Sequence, residues 1–183
     1  MSDPGAANSV PWWQPGRERR QRQLDLERIV AGAIAVLDAD GVEALSLRHL
    51  ADGLGVAPAS VYWHVPNKQA LLDVVLDRGL AAALEETQLD PAAAWRAQVA
   101  EVCRGLRRMV DRHPAAAALL AQRLPLGPGG LQLLEVVMRS LGRAGFVGRR
   151  LVMAHAAVIG YASGHVAQQA RRPGIAGAVD WQA

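Results

Sequence analysis

The chain has one cysteine, Cys103, in 183 residues. That excludes an internal disulfide and a cysteine-rich zinc site. Aromatic residues make up only 4% of it, while half of the chain is apolar. With Ala and Leu abundant and Phe and Tyr scarce, helices are favoured over strands. An excess of one charge sign is also lacking. Twenty basic residues face 17 acidic ones, for a net charge of +3. Despite a pI near 9.7, contact with a polyanion must therefore come from local placement of Arg and Lys. No N-terminal apolar segment reads as a signal peptide. The longest uncharged run, residues 151–170, is rich in Ala, Gly, His and Gln and is expected to be a buried helix rather than a membrane span. The expectation is a cytoplasmic protein with no membrane partner.

Chemistry is short of motifs too. There is no Gly-rich phosphate loop, His-Glu-x-x-His, EF-hand or Cys-x-x-Cys. His155 and His165 stand ten residues apart, about 1000° around a helix, so they do not share a face. No catalytic constellation, metal site or required cofactor is expected. Cys103 lies among the apolar positions of an amphipathic stretch and reads as an inert core thiol.

What is present centres on residues 45–68. Ser46 is a good N-cap for a helix carrying Leu47, Leu50, Ala51 and Leu54 at helical spacing, and Gly55 follows where a left-handed residue would stop it. Pro58 suits the first position of a second short helix, which cannot continue past Pro66. Two short helices joined by a Gly-containing turn form a helix-turn-helix, whose second helix can enter a DNA major groove. In that second helix Val61 and Val65 face inward, leaving Ser60, Tyr62, Trp63 and His64 on other faces. The competing reading makes Tyr62 and Trp63 core residues of a helical domain. Asn67 and Lys68 then open a third helix whose N-terminus would suit a phosphate.

The run Tyr62-Trp63-His64-Val65, followed by Asn67-Lys68 and Leu71-Leu72, resembles the DNA-binding domain of the tetracycline-repressor (TetR) family. The likeness covers residues 24–85. A looser likeness to the tetracycline-repressor-like C-terminal domain, carried by helix order and by Gly145-Phe146 and Gly160-Tyr161, runs on to Gln169. The resemblance implies an all-α homodimer with an N-terminal three-helix DNA-binding domain and a C-terminal helical domain for ligand binding and dimerisation. Two departures matter. The segment before Pro125 lacks the metal-ligating His of tetracycline-binding members, which argues against a metal-chelated tetracycline as ligand. Pro58-Ala59-Ser60 also replaces their Gln-Pro-Thr run, so the operator should differ.

The chain then divides as follows. Residues 1–23 read as a flexible arm ending in the basic cluster Arg17–Arg22, either a solvated tail or an arm reaching DNA. Trp12 and Trp13 have no assigned role. Residues 24–86 form the DNA-binding domain, with the helix-turn-helix at 45–64. A first helix runs from Leu26 to Ala39, and a linking helix from Asn67 to Glu86. Residues 91–172 form the second domain, with helices expected at 92–112, 115–122, 131–143 (Leu134, Met138 and Leu141 inward) and 148–171. A flexible tail takes 173–183.

The residues expected to contact DNA are Leu47, Arg48, Ala59, Ser60, Tyr62, Trp63, His64 and Lys68. Leu106, Met109, His113, Leu120, Met138 and His155 are candidates for lining a small-molecule site. For His113 a buried hydrogen-bonding role is the alternative. Ala156, Gly160, Gly164 and Ala167 form a small-residue stripe that would let another helix approach closely, either within the chain or, as the resemblance implies, across a dimer axis. The function expected is a DNA-binding transcriptional regulator, a homodimeric repressor released by an unidentified small molecule. Two alternatives are a regulator governed by a protein partner and a helical enzyme.

Overall fold

The computed structural model describes residues 25–90 and 92–170, without the side chains of residues 166, 167, 169 and 170. The arm expected at 1–23 and the tail at 173–183 lie outside the described residues. Eight helices are present among those described.

Helix α1 (Leu26–Ala44) starts at Asp25, whose carboxylate accepts from the Arg28 N–H at 2.8 Å. Its stripe Ile29, Val30, Ala33 and Leu37 is buried, and helical geometry breaks at Gly41 (φ 80°), two residues beyond the expected end at Ala39, before the helix resumes to Ala44. In α2 (Leu47–Leu54) the Ser46 hydroxyl caps the His49 N–H at 3.1 Å, and Gly55 terminates the helix at φ 67°. Helix α3 (Pro58–His64) carries proline at its start. Helix α4 (Lys68–Glu85) is capped by Asn67, whose carboxamide oxygen accepts from Ala70 N–H at 2.9 Å. These caps satisfy amides that have no partner within the helix.

Helices α5 (Trp95–Arg112), α6 (Ala115–Gln122), α7 (Pro128–Arg143) and α8 (Gly148–Ala170) complete the chain. The start expected for α5 at Ala92 moves to Trp95, because Asp90 binds the Ala92 N–H with its carboxylate and the Ala93 N–H with its carbonyl, closing a turn. Gln98 donates to the carbonyls of Asp90 and Ala93 and accepts from the Ser140 hydroxyl at 2.7 Å, so the buried polar contact between α5 and α7 is satisfied. One apolar cluster extends from α1 to α8, with α4 packed on α1, α5, α6 and α7.

The face of α7 differs from the sequence reading. Leu133, Val137 and Leu141 point inward, whereas Leu134 is exposed and Met138 half-buried. Pro-Gly-Gly at 128–130 reads as loop by composition, yet it forms the first turn of the helix. Asp77 of α4 accepts from the Gly130 N–H at 2.9 Å, and a Cβ on Gly129 would stand 2.3 Å from the Asp77 carbonyl oxygen. The two backbones meet where only hydrogen fits, and this contact sets the rotation of α7.

Gly129→Ala should therefore cost about 1–3 kcal/mol through overpacking against α4. Gly142→Ala, where a Cβ meets nothing within 4 Å, should be neutral or stabilising by up to ~1 kcal/mol. Urea unfolding of the two variants measures the contrast; equal stabilities would show that α4 and α7 can move apart freely.

Candidate nucleic-acid interface

Helix α3 is held by very little. Val61 and Val65 are buried at 0% and 2% exposure, and the rest of the short helix turns outward. Trp63 is 86% exposed and Tyr62 52%. They are not core residues. Ala59 and Ser60 are also exposed, while His64 is half-buried with its ring edge-on to Trp63 at 5.8 Å. Two aromatics, a hydroxyl and an imidazole on one seven-residue helix offer stacking, hydrogen-bonding and apolar contact to a groove.

Of the two α2 residues expected at this surface, Arg48 is exposed but Leu47 is not. At 4% exposure Leu47 belongs to the core, which corrects its assignment as a DNA contact. It is the first residue of α2 and shares the inward face with Leu50 and Ala51. Next to Arg48, His49 is exposed; the sequence reading passed over it. Lys68 is half-buried, its ammonium 3.5 Å from the Glu43 carbonyl oxygen at the end of α1. Its position in the first turn of α4 places a cation beside the helix-turn-helix.

The six candidate ligand residues do not converge on one cavity. Met109 and His113 line a narrow apolar pocket with Ile34, Leu37, Val75 and Leu119, at the junction of α1, α4, α5 and α6. Leu106 is packed in the core, and Leu120, Met138 and His155 are half-buried away from that pocket. The room inside is about 30 Å³, far below the ~300 Å³ that a drug-sized ligand fills, while a wider concavity of about 430 Å³ between α1, α4 and α5 is also lined by Met109 and His113. His113 is engaged by Asp38 of α1, Nδ1 to Oδ2 at 2.7 Å. Burial pushes the His155 imidazole below its ordinary pKa and the Cys103 thiol above its own, the latter consistent with an unreactive sulfur. Among the described residues no three His, Cys, Asp or Glu side chains are placed to hold a metal ion.

On α8, Ala156, Gly160 and Gly164 are exposed, and a Cβ on either glycine would meet nothing within 4 Å. Close packing within the chain does not explain these glycines. The side chain of Ala167 lies outside the described residues.

Comparison with known proteins decides the family. The family model for bacterial regulatory proteins of the tetR family matches residues 29–75, and that for the tetracyclin repressor-like C-terminal domain matches residues 88–177. An HTH-type transcriptional regulator of Saccharopolyspora erythraea is 38% identical over 168 residues, covering 90% of this chain and 69% of its own. The chain belongs to the TetR family. The HTH-type transcriptional repressor DrrR1 of Streptomyces coeruleorubidus is 32% identical, over 93% of this chain and 66% of its own. The chain thus spans about two thirds of the length of these TetR relatives. Apo ActR from Streptomyces coelicolor superposes with a TM-score of 0.75 at 36% identity, over 84% of this chain and 72% of that one. The fold is all-α, and a TetR member is a DNA-binding transcriptional regulator; the family is one of regulators and not of enzymes. None of the described helices is long and apolar enough to cross a membrane.

The tetR-family match at residues 29–75 spans α2 and α3, the two short helices joined at Gly55, which makes them the candidate helix-turn-helix with α3 as the candidate recognition helix. Trp63→Ala should leave the melting temperature nearly unchanged, since surface substitutions shift stability by no more than about 0.5 kcal/mol, while weakening duplex binding. Leu47→Ala should do the reverse, costing about 2–5 kcal/mol of stability. Thermal melts paired with DNA titrations check both, and a destabilised Trp63 variant would return that ring to the core. Lys68→Ala should lower affinity for all duplexes alike and flatten the salt slope by about one.

Proposed function

We propose that this regulator is a repressor that binds a palindromic operator as a homodimer and leaves it when a small molecule binds the C-terminal helices. The observation that carries the homodimer is the outer face of α8. Val152 and Met153 are each 59% exposed and Tyr161 75%, on the helix that also exposes Ala156, Gly160 and Gly164. An apolar face with backbone-deep hollows suits a second copy of the same helix, and a twofold pair would place two α3 helices on successive half-sites, roughly 34–36 Å apart or a multiple of it.

Ser60, Tyr62, Trp63 and His64 are the proposed groove contacts, with Arg48 and Lys68 on phosphates. Support for operator binding comes from BioQ, 32% identical and solved with its double-stranded DNA operator. Support for a small-molecule effector comes from ActR, solved in complex with actinorhodin and with (S)-DNPA. An effector seated in the wider concavity beside Met109 and His113 displaces helices only if it reaches into the narrow junction pocket. Binding that favours one arrangement of α6 against α1 and α4 shifts the population between DNA-competent and DNA-incompetent forms. No cofactor is needed for this scheme.

Gly160→Leu or Gly164→Leu should break the dimer and abolish specific binding, leaving helical content unchanged. Sedimentation, and titration of a duplex selected from a random library, read both effects on one sample. A dimer that survives both substitutions with full affinity would place the interface elsewhere on the chain.

A further inference from the structure

A further concavity lies away from the recognition helix and shares only Leu76 with the junction pocket. It runs between the start of α1, the flank of α4 and the loop from α6 to α7, walled by Leu26, Val74, Leu76, Pro125 and Pro128, and has room for about 390 Å³. Asp73 and Asp77 of α4 stand along it. The loop presents Leu124 and Leu126 to solvent at 81% and 73% exposure, the two most exposed aliphatic side chains among the described residues. Single exposed leucines are ordinary, but a pair flanking a proline beside an apolar groove makes a patch. The loop that carries them is pinned. Arg123 donates to the Gln69 carbonyl oxygen at 3.1 Å and pairs with Asp73, and Asp77 holds the Gly130 N–H. The leucines are thus presented by a fixed loop and cannot fold inward to hide.

The chain itself supplies an occupant. Twenty-four residues precede Asp25, and α1 begins at Leu26, which is part of the groove wall. This segment contains the apolar run Val10-Pro11-Trp12-Trp13, then Arg17, Arg19, Arg20 and Arg22. The residues between Trp13 and Leu26 reach at most ~40 Å when extended, ample to double back onto a groove that starts at Leu26. Charge agrees with this placement. The arginines lie between the tryptophans and α1, while Asp73 and Asp77 line the groove together with one cation, Arg78, whose charge is met by Glu27 at 3.0 Å.

We propose that Trp12 and Trp13 dock in this groove against Leu124 and Leu126, with the basic stretch 17–22 lying along the Asp73 and Asp77 flank of α4. The docking is independent of the dimer and effector scheme above. It turns the N-terminal segment into a strap that joins the start of α1 to the α6–α7 loop. Indole rings bury large apolar areas and find here an apolar wall with acidic groups for the adjacent cations.

Acrylamide quenching of the full chain tests it. Subtracting the emission of the Trp12→Phe/Trp13→Phe variant isolates the two arm indoles, and a peptide of residues 1–24 gives their unshielded value. The arm indoles should be blue-shifted and markedly less quenched than in the peptide, at all protein concentrations. Leu124→Ser/Leu126→Ser should return them to the peptide value; both leucines are exposed, so the fold survives, as a melt will verify. In parallel, the Leu124 and Leu126 methyl resonances should lose ring-current shifts in Trp12→Ala/Trp13→Ala. Quenching equal to that of the peptide, or shielding that outlasts the serine substitutions, overturns the proposal. Shielding that appears only as protein concentration rises assigns the groove to a second copy and overturns it equally.

Discussion

The contact on which most of the structure depends is the packing of α4. Leu71, Leu72, Val75, Leu76, Leu80 and Ala83 are buried on one helix, which packs on α1 on one side and on α5, α6 and α7 on the other. These residues cover about half of its circumference, and along its length α4 meets helices from both halves of the chain. Its N-terminal turn, at Asn67 and Lys68, follows directly on the recognition helix, and its later turns meet the glycines of α7. Any reorientation of α4 therefore moves α3, because only Val65 and Pro66 separate the end of α3 from the cap of α4.

The recognition helix shows the opposite economy. Val61 and Val65 alone bury it, and the caps around it are local: Ser46 on α2, Gly55 at the turn, Pro58 at the start of α3 and Asn67 on α4. Such a helix has its stability supplied by its neighbours, which leaves the outward face free to carry residues chosen for contact. An 86%-exposed Trp63 makes sense only in that setting. A large apolar ring in water is a liability unless a partner covers it.

Much of this was legible in the sequence. Caps, breakers and 3.6-residue periodicity place α2 to α4 and the start of α1 within a residue or two, since each signal is local and reports the backbone directly; α1 itself runs past the expected Ala39 to Ala44, across the break at Gly41. The errors arise where the deciding atoms belong to another helix. The inward face of α7 is set by Gly129 and Gly130 against α4, which periodicity over 131–143 does not contain. Leu47 is a different kind of error: it shares the helical spacing of Leu50, Ala51 and Leu54, so its inward face is legible and its assignment to DNA runs against that spacing. The partner of His113 is Asp38, 75 residues away, and no pattern in the sequence links them. The ligand candidates were drawn from inward positions of several helices, and inward positions more often fill a core than line a cavity; Leu106 is the example.

Helix α6 shows how weak contacts can serve regulation. It is tied at both ends: His113, just before it, pairs with Asp38 of α1, and Arg123, just after it, pairs with Gln69 and Asp73 of α4. Nearby, Arg112 pairs with Glu86, whose carboxyl it holds below the usual carboxylate range. The Arg123 side chain is mostly buried against an exposed Asp73, whereas the His113–Asp38 tie keeps solvent access on both sides and contributes at most about 1 kcal/mol. That is the scale of allosteric coupling, typically about 1–3 kcal/mol between two sites. Deeply buried ties of several kcal/mol would lock α6 in place, and no ties at all would leave it uncoupled from α1 and α4. The two clamps, one open to solvent at His113 and one built on a mostly buried Arg123, flank a short Ala-rich helix and act on α1 and α4, the helices on either side of α2 and α3.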